Sequence, residues 1–394
     1  MAGVRIFNIC CQAGCSDNTI VEDTWQMTDI SVLKSIFRGK AGRHISMAQV
    51  PEETTPSDNR IVVRRTTMAY LIRELIWKLG HWYEQEFRNF IVNINPDILY
   101  LPIYRSGYIC DIQKKAYQIT KCPIVCHISD DVYSMPPSSQ VSPLKRIYYK
   151  WIRKKIKYLI SKSEYCEVFA KNMAEEYHTI FKKPFHLIGK GIYPQDIRKN
   201  DKWEKQRTLK FVYTGNYGGE RGAQLLNLAM CLERNFKPTE AELRIFSATI
   251  PDAGINNRLI DTKRVRLMGA LKPEQIPDVQ QGADYLIHVE GFSAKSIIET
   301  RMSFSTKLID YMLAQRPIIA IGPMEINSIK VLKDENAALI ANSTDDLDDI
   351  ISKIAKGDID TEKYIENARQ YLLTKRDRRI IQNGIHKRLI SIIR

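Results

Sequence analysis

Along the second half of this chain, short runs rich in apolar residues alternate with stretches of helical spacing. Leu209 to Thr214, Leu243 to Ser247, Val265 to Met268, Tyr285 to Val289, Ile318 to Ile321 and Ala337 to Ile340 read as buried strands. Residues 222–234 and 273–281, and the set Leu308, Ile309, Met312 and Leu313, carry the i, i+3, i+4 spacing of helices between them. Strands separated in this way by helical segments predict a parallel sheet covered by helices on both sides.

The first half shows the same alternation less regularly. Ile98 to Pro102 follows an Asn95-Pro96-Asp97 turn, and Pro123 to Ile128, Tyr165 to Ala170 and His186 to Ile188 are further strands. Thr66 to Val92 predicts one long amphipathic helix, and Leu144 to Lys162 another. After the strand-like Val4 to Cys10 come only Gly14, polar residues and the short Ser31 to Phe37. A first strand followed by a long helix is therefore expected to be absent or atypical here. The expected organisation is a first domain over 1–197, a polar linker over 198–207, a second domain over 208–375 and a terminal helix over 376–394.

The candidate chemistry gathers at the carboxyl ends of the second-half strands, where open α/β sheets bind ligands. Ser305, Thr306 and Lys307 stand at a loop-to-helix junction, a setting suited to phosphate. Gly215, Gly218 and Gly219 let backbone amides approach a diphosphate, and Arg221 supplies a cation at the head of the next helix. Glu290 follows the strand Tyr285 to Val289 and belongs at the same edge, with Arg301 and Ser303 as further contacts. In the first half, His127, Asp130 and Asp131 close the strand Pro123 to Ile128. Each residue has a plainer reading: a tight turn, a solvated cation, a packed histidine, or an aspartate that caps a helix.

Four stretches in order resemble the donor domain of GT-B glycosyltransferases: FVYTGNYGGERG (211–222), VRLMGAL (265–271), DYLIHVE (284–290) and FSTKLIDYMLAQRPIIAIGP (304–323). The resemblance is nearest to bacterial enzymes of the retaining group that build capsular and other surface polysaccharides. It implies two Rossmann-like domains with a cleft between them, and sugar transfer from a nucleotide-sugar, UDP-sugar first among the candidates, to a glycan acceptor that is lipid-linked. On that basis Gly215, Asn216, Arg221, Gly269, Ser305, Thr306 and Lys307 would hold the nucleotide, and Asp310 its ribose. Glu290 and His127, with Asp130 or Asp131 as a substitute for the histidine, would bracket the sugar. Asn216 stands where many relatives place a second arginine, and the usual Glu-x7-Glu spacing is missing, since Met302 stands eight residues before Asp310. No cofactor or metal is implied, because basic side chains and helix ends can carry the leaving diphosphate.

Charge adds a partner. The chain carries a net charge of +14. Leu144 to Lys162 holds eight lysines and arginines and no acid, around an aromatic-aliphatic stripe. Lys150, Trp151, Arg153, Lys154 and Lys157 are the candidates for contact with an anionic membrane surface. No apolar run approaches the roughly 18 residues that span a bilayer, so a cytoplasmic protein, peripheral on the inner face of the membrane, is expected. The eight cysteines have no repeated spacing and read as reduced thiols. The basic charge alone would also suit a nucleic-acid-binding protein, but that leaves the four ordered stretches unexplained. The same fold would also suit a nucleotide-sugar epimerase, or an inactive transferase that only binds partners.

Overall fold

The computed structural model describes residues 4–12, 20–46, 67–134, 141–198, 208–249 and 253–393. Most of the linker expected over 198–207 lies outside them, as does Cys15.

The chain opens with strands β1 (Ile6–Cys10) and β2 (Val21–Met27), helix α1 (Asp29–Arg38) and strand β3 (Gly42–Ser46). β1 pairs with β2 in parallel and β2 with β3 antiparallel, a small separate sheet. Helices α2 (Thr67–Leu79) and α3 (Gln85–Ile94) follow, where the sequence pattern suggested one long helix. The break has a packing cause. Gly80 is pressed so closely on α1 that a Cβ there would lie 2.4 Å from Val32, and the Trp82 indole turns back to donate to the Trp77 carbonyl at 2.8 Å.

Next come β4 (Leu99–Pro102), α4 (Gly107–Thr120), β5 (Ile124–Ile128), α5 (Pro143–Lys162), β6 (Tyr165–Val168), α6 (Lys171–Phe181) and β7 (Phe185–Leu187). The four strands form a parallel sheet in the order β4-β5-β6-β7. One face packs Ile124, Cys126, Ile128, Cys166 and Val168 against Tyr148, Ile152, Ile156 and Leu159 of α5.

The second half holds β8 (Leu209–Thr214), α7 (Glu220–Asn235), β9 (Ala241–Phe246), α8 (Ala253–Asp261), β10 (Val265–Gly269), α9 (Ile276–Gln281), β11 (Tyr285–Val289), α10 (Ala294–Thr300), α11 (Lys307–Leu313), β12 (Ile318–Ile321), α12 (Asn327–Asp334), β13 (Leu339–Ala341), α13 (Thr344–Lys356) and α14 (Glu362–Lys375). Its six strands are parallel, in the order β10-β9-β8-β11-β12-β13. Successive side chains feed two cores: Phe211, Tyr213, Ile287 and Ile319 on one face, Val212, Leu286, Ile318 and Ala320 on the other. Burial on both faces fits the mainly apolar composition of β8, β11 and β12. β10 is the exception. It is a sheet edge, and of its residues only Val265 is buried, with Leu267 and Met268 exposed, so a run read as buried strand is mostly open.

Helix α15 (Arg378–Ile392) returns to the first half. The chain crosses beside itself here: Ile192 accepts from the Arg378 amide and donates to the Arg376 carbonyl, both at 2.8 Å. Arg388 of α15 then pairs with the fully buried Glu167 of β6 at 3.1 Å. A second tie runs through the segment after α10. Met302 is buried in the first-half core, and Arg301 grips Glu176 of α6 through two hydrogen bonds of 2.7 and 3.0 Å.

Candidate functional site

The six-stranded sheet reverses its order between β8 and β11, and a crevice at the carboxyl ends of those strands is the topological place for a ligand. β8 ends in Thr214 and turns through Gly215, whose φ of +141° excludes ordinary side chains. Gly219, also at positive φ, leads into α7. Tyr311 of α11 fixes this corner, its hydroxyl accepting from the Thr214 amide at 3.1 Å. The Asn216 side-chain oxygen accepts from the Gly218 amide at 2.7 Å and from the Thr249 hydroxyl at 3.0 Å, which ties the glycine loop to the end of β9. Gly269 closes β10 at positive φ, beside Ser247.

Three charged side chains share the crevice. Arg221 donates to Glu290 at 2.9 Å, with Glu290 buried and Arg221 partly open to solvent. Lys307 reaches back over Gly215. Its ammonium lies 5.3 Å from the centre of the Tyr213 ring and 3.4 Å from the Thr214 carbonyl. A Cβ on Gly215 would stand 2.2 Å from that ammonium, so the glycine is what lets the lysine lie there. Burial, and then the Arg221 charge, pull the Lys307 pKa down to about 8, with Glu290 opposing. His288 lies behind, with Nε2 3.4 Å from Glu290. Burial lowers its pKa to about 4, so it is neutral at pH 7 and this is no ion pair.

Asp310, one turn beyond Lys307 on α11, is paired with Lys190 from the segment between β7 and the crossing point. The Ser305 amide donates to the Ser328 hydroxyl at 2.9 Å, and Thr306 heads α11 exposed to solvent. Arg221, Glu290 and Lys307 therefore come together, with Asp310 on the adjoining turn. Arg301 and Ser303 do not join them. Arg301 is spent on Glu176, and the Ser303 hydroxyl donates to Asp130 at 3.1 Å, so this loop ties the two halves instead of lining the crevice.

His127 lies on β5 among residues of the first half. Its Nδ1 is 3.1 Å from the Tyr100 hydroxyl, which itself donates to Glu167 at 2.9 Å. That hydroxyl has one proton, so Nδ1 must carry the hydrogen of the first bond, leaving Nε2 as an acceptor. Burial lowers the His127 pKa, against the pull of Glu167. Among the described residues no hydrogen bond or ion pair joins His127 to Glu290. Asp131 is used internally, accepting from the Tyr133 and Ser134 amides and the Tyr177 hydroxyl. Among the described residues no cluster of three histidines, cysteines or carboxylates could hold a metal.

Helix α5 divides the stripe that the sequence drew as one face. Tyr148, Ile152 and Leu159 turn inward, while Leu144, Ile147 and Trp151 stay exposed. Lys150, Lys154 and Lys157 are exposed. Arg153 is not free, since its guanidinium stacks 4.2 Å from the Tyr133 ring, and Lys155 is bound to Asp111 at 2.5 Å.

No protein-family model matches the sequence, and no curated protein does. Solved structures match the fold. HepE of Anabaena, in complex with UDP, superposes with a TM-score of 0.61 at 10% identity, over 98% of this chain and 100% of HepE. WaaG, a glycosyltransferase involved in lipopolysaccharide biosynthesis, gives 0.52 at 11% identity, over 80% of this chain and 94% of WaaG. The fold is GT-B. A mutant of TarM from S. aureus, in complex with fondaparinux, α-GlcNAc-glycerol and UDP, gives 0.55 at 13% identity, over 77% of this chain. This GT-B chain spans only 58% of the TarM length.

The sequence pattern missed Lys190, Tyr100, Glu167 and Arg388. Lys190 had a local signal, a lysine framed by Gly189 and Gly191. The other three have none, because β4, β6 and α15 meet only in the folded chain.

Proposed function

We propose that this GT-B protein is a glycosyltransferase that moves a sugar from a nucleotide-sugar, a UDP-sugar, onto a glycan acceptor, lipid-linked, in the synthesis of cell-surface polysaccharide. One observation carries the reading: Arg221 and Lys307, two cations, converge with Glu290 where the parallel sheet reverses its strand order. Such a crevice holds a diphosphate through the cations and leaves a buried carboxylate beside the sugar. HepE, of similar length and fold, binds UDP and UDP-glucose, which supports UDP as the nucleotide.

In this reading Arg221 and Lys307 neutralise charge on the departing diphosphate, and Asp310 holds the ribose hydroxyls. Glu290 contacts the transferred sugar and His127 stands on the acceptor side, with Asp130 as its substitute. The transfer is retaining and needs no metal. The protein works in the cytoplasm, peripheral to the membrane. The exposed Leu144, Ile147 and Trp151 beside Lys150, Lys154 and Lys157 support that placement. So do Ile30, Leu33 and Phe37 of α1 and Met68, Ile72, Leu75 and Leu79 of α2, all exposed on neighbouring helices. Among the described residues no helix is long and apolar enough to cross a membrane.

Incubation with UDP-sugars, with and without membrane-extracted glycolipid, tests the proposal. Acceptor-dependent release of UDP is the expected result. A sugar nucleotide converted without acceptor would replace transfer by epimerisation.

A further inference from the structure

Lys190 is held in place by the fold. Its neighbours Gly189 and Gly191 run against the returning chain so closely that a Cβ would lie 2.1 Å from Arg376 and 2.8 Å from Arg378 respectively. The backbone hydrogen bonds of Ile192 to residues 376 and 378 pin the same segment. The backbone of Lys190 is thus fixed where the chain crosses between the two halves, and only its side chain is free to move. That side chain pairs with Asp310, both groups being part exposed at 41% and 35%.

The charges of the crevice fall into a pattern. Arg221 is neutralised by Glu290 and Lys190 by Asp310, while Lys307 makes no ion pair among the described residues. Asp310 cannot accept hydrogen bonds from a diol with all its oxygen sites while holding an ammonium, and a diphosphate attracts that ammonium more strongly than one carboxylate does. Lys190 meets α11 at Asp310, three residues on from Lys307, which opens the same helix.

We propose that Lys190 is a donor-binding residue supplied by the first half of the chain: nucleotide binding frees Asp310 for the ribose, and the Lys190 ammonium transfers to the diphosphate. This inference rests on the donor-site reading above. Lys190, Arg221 and Lys307 then face the phosphates together, and the donor bridges the two halves at their crossing point. A part-exposed ion pair of this kind adds little to stability, so its loss leaves the fold intact.

The test is calorimetric titration of the full chain with UDP and with uridine, for wild type, Lys190→Met and Lys190→Arg. The expected result is that Lys190→Met weakens UDP about tenfold, the scale of one charge-assisted hydrogen bond. Uridine, which has no phosphate, should bind Lys190→Met at least as well as wild type. Lys190→Arg should restore most of the UDP affinity, and raising the salt should shrink the difference between wild type and Lys190→Met. Unchanged UDP affinity in Lys190→Met, or equal weakening of UDP and uridine, overturns the inference while leaving the donor site standing. A wild-type chain that binds no nucleoside diphosphate overturns the donor-site reading and this inference with it.

Discussion

The guanidinium of Arg221 and the carboxylate of Glu290 meet at 2.9 Å, joining the first turn of α7 to the tip of β11 across the strand-order reversal. The two ends of this pair differ in depth: the Glu290 side chain is 5% exposed and that of Arg221 33%. Glu290 is therefore desolvated and depends on its partner, whereas Arg221 has donors left for a ligand. Removing Arg221 strands a buried carboxylate, at a cost somewhat below the roughly 3–5 kcal/mol of a fully buried pair, because water reaches the arginine side. Arg221→Met should thus lower both the melting temperature and UDP affinity, the latter about tenfold or more. Glu290→Gln, which keeps the shape, should bind UDP nearly as wild type and lose most of its turnover. Melting curves, titration calorimetry and a turnover assay on both variants check this.

Lys307 gives the site a pH signature. Its pKa is drawn down to about 8 by burial and by Arg221. A bound diphosphate favours the charged ammonium, so the complex keeps the proton that the free protein releases near that value. UDP affinity should be flat below about pH 8 and fall as pH rises above it. Titration of wild type across roughly pH 6.5 to 9.5 should show that decline, and Lys307→Arg, charged throughout, should remove it.

Gly215 makes room for that lysine. With φ at +141° and a Cβ position 2.2 Å from the Lys307 ammonium, it cannot take a side chain without moving the lysine. Gly215→Ala should cost on the order of 1–3 kcal/mol through backbone strain, and should weaken UDP further than that loss of stability alone explains. An alanine variant that melts and binds as wild type would remove the glycine from the site.

The second half was legible because both faces of its strands are buried. All-apolar runs such as Ile318 to Ile321 then have one reading, and the glycines and Lys307 fall at their ends. The first half was less so. The break after Leu79 depends on Gly80 meeting Val32, a tertiary contact that helical periodicity does not contain. Arg301 and Ser303 had the right residue types for a ligand contact, but folding brings them to Glu176 and Asp130. The Tyr100–Glu167–Arg388 chain is invisible for the same reason, since sequence spacing says nothing about three elements that meet only across a sheet.

Helix α5 supplies the last expectation. Residues 144, 147 and 151 form a stripe about 100° around the helix from the inward stripe at 148, 152 and 159, since one residue advances a helix by that angle. The outer stripe is larger than the core requires, and Lys150, Lys154 and Lys157 lie exposed along the same helix. Each lysine near an anionic surface contributes on the order of 1 kcal/mol, and the exposed Trp151 adds apolar anchoring. Reversing Lys150, Lys154 and Lys157 to Glu should abolish pelleting with vesicles containing anionic lipid and leave the melting temperature within a few degrees. Arg153 and Lys155 must be left alone in that variant, because their contacts with Tyr133 and Asp111 hold the helix to the protein. Ile147→Ser with Trp151→Ser should weaken pelleting even at high salt, where the lysines are screened. Pelleting that ignores salt and all of these changes would make α5 a solvated face and nothing more.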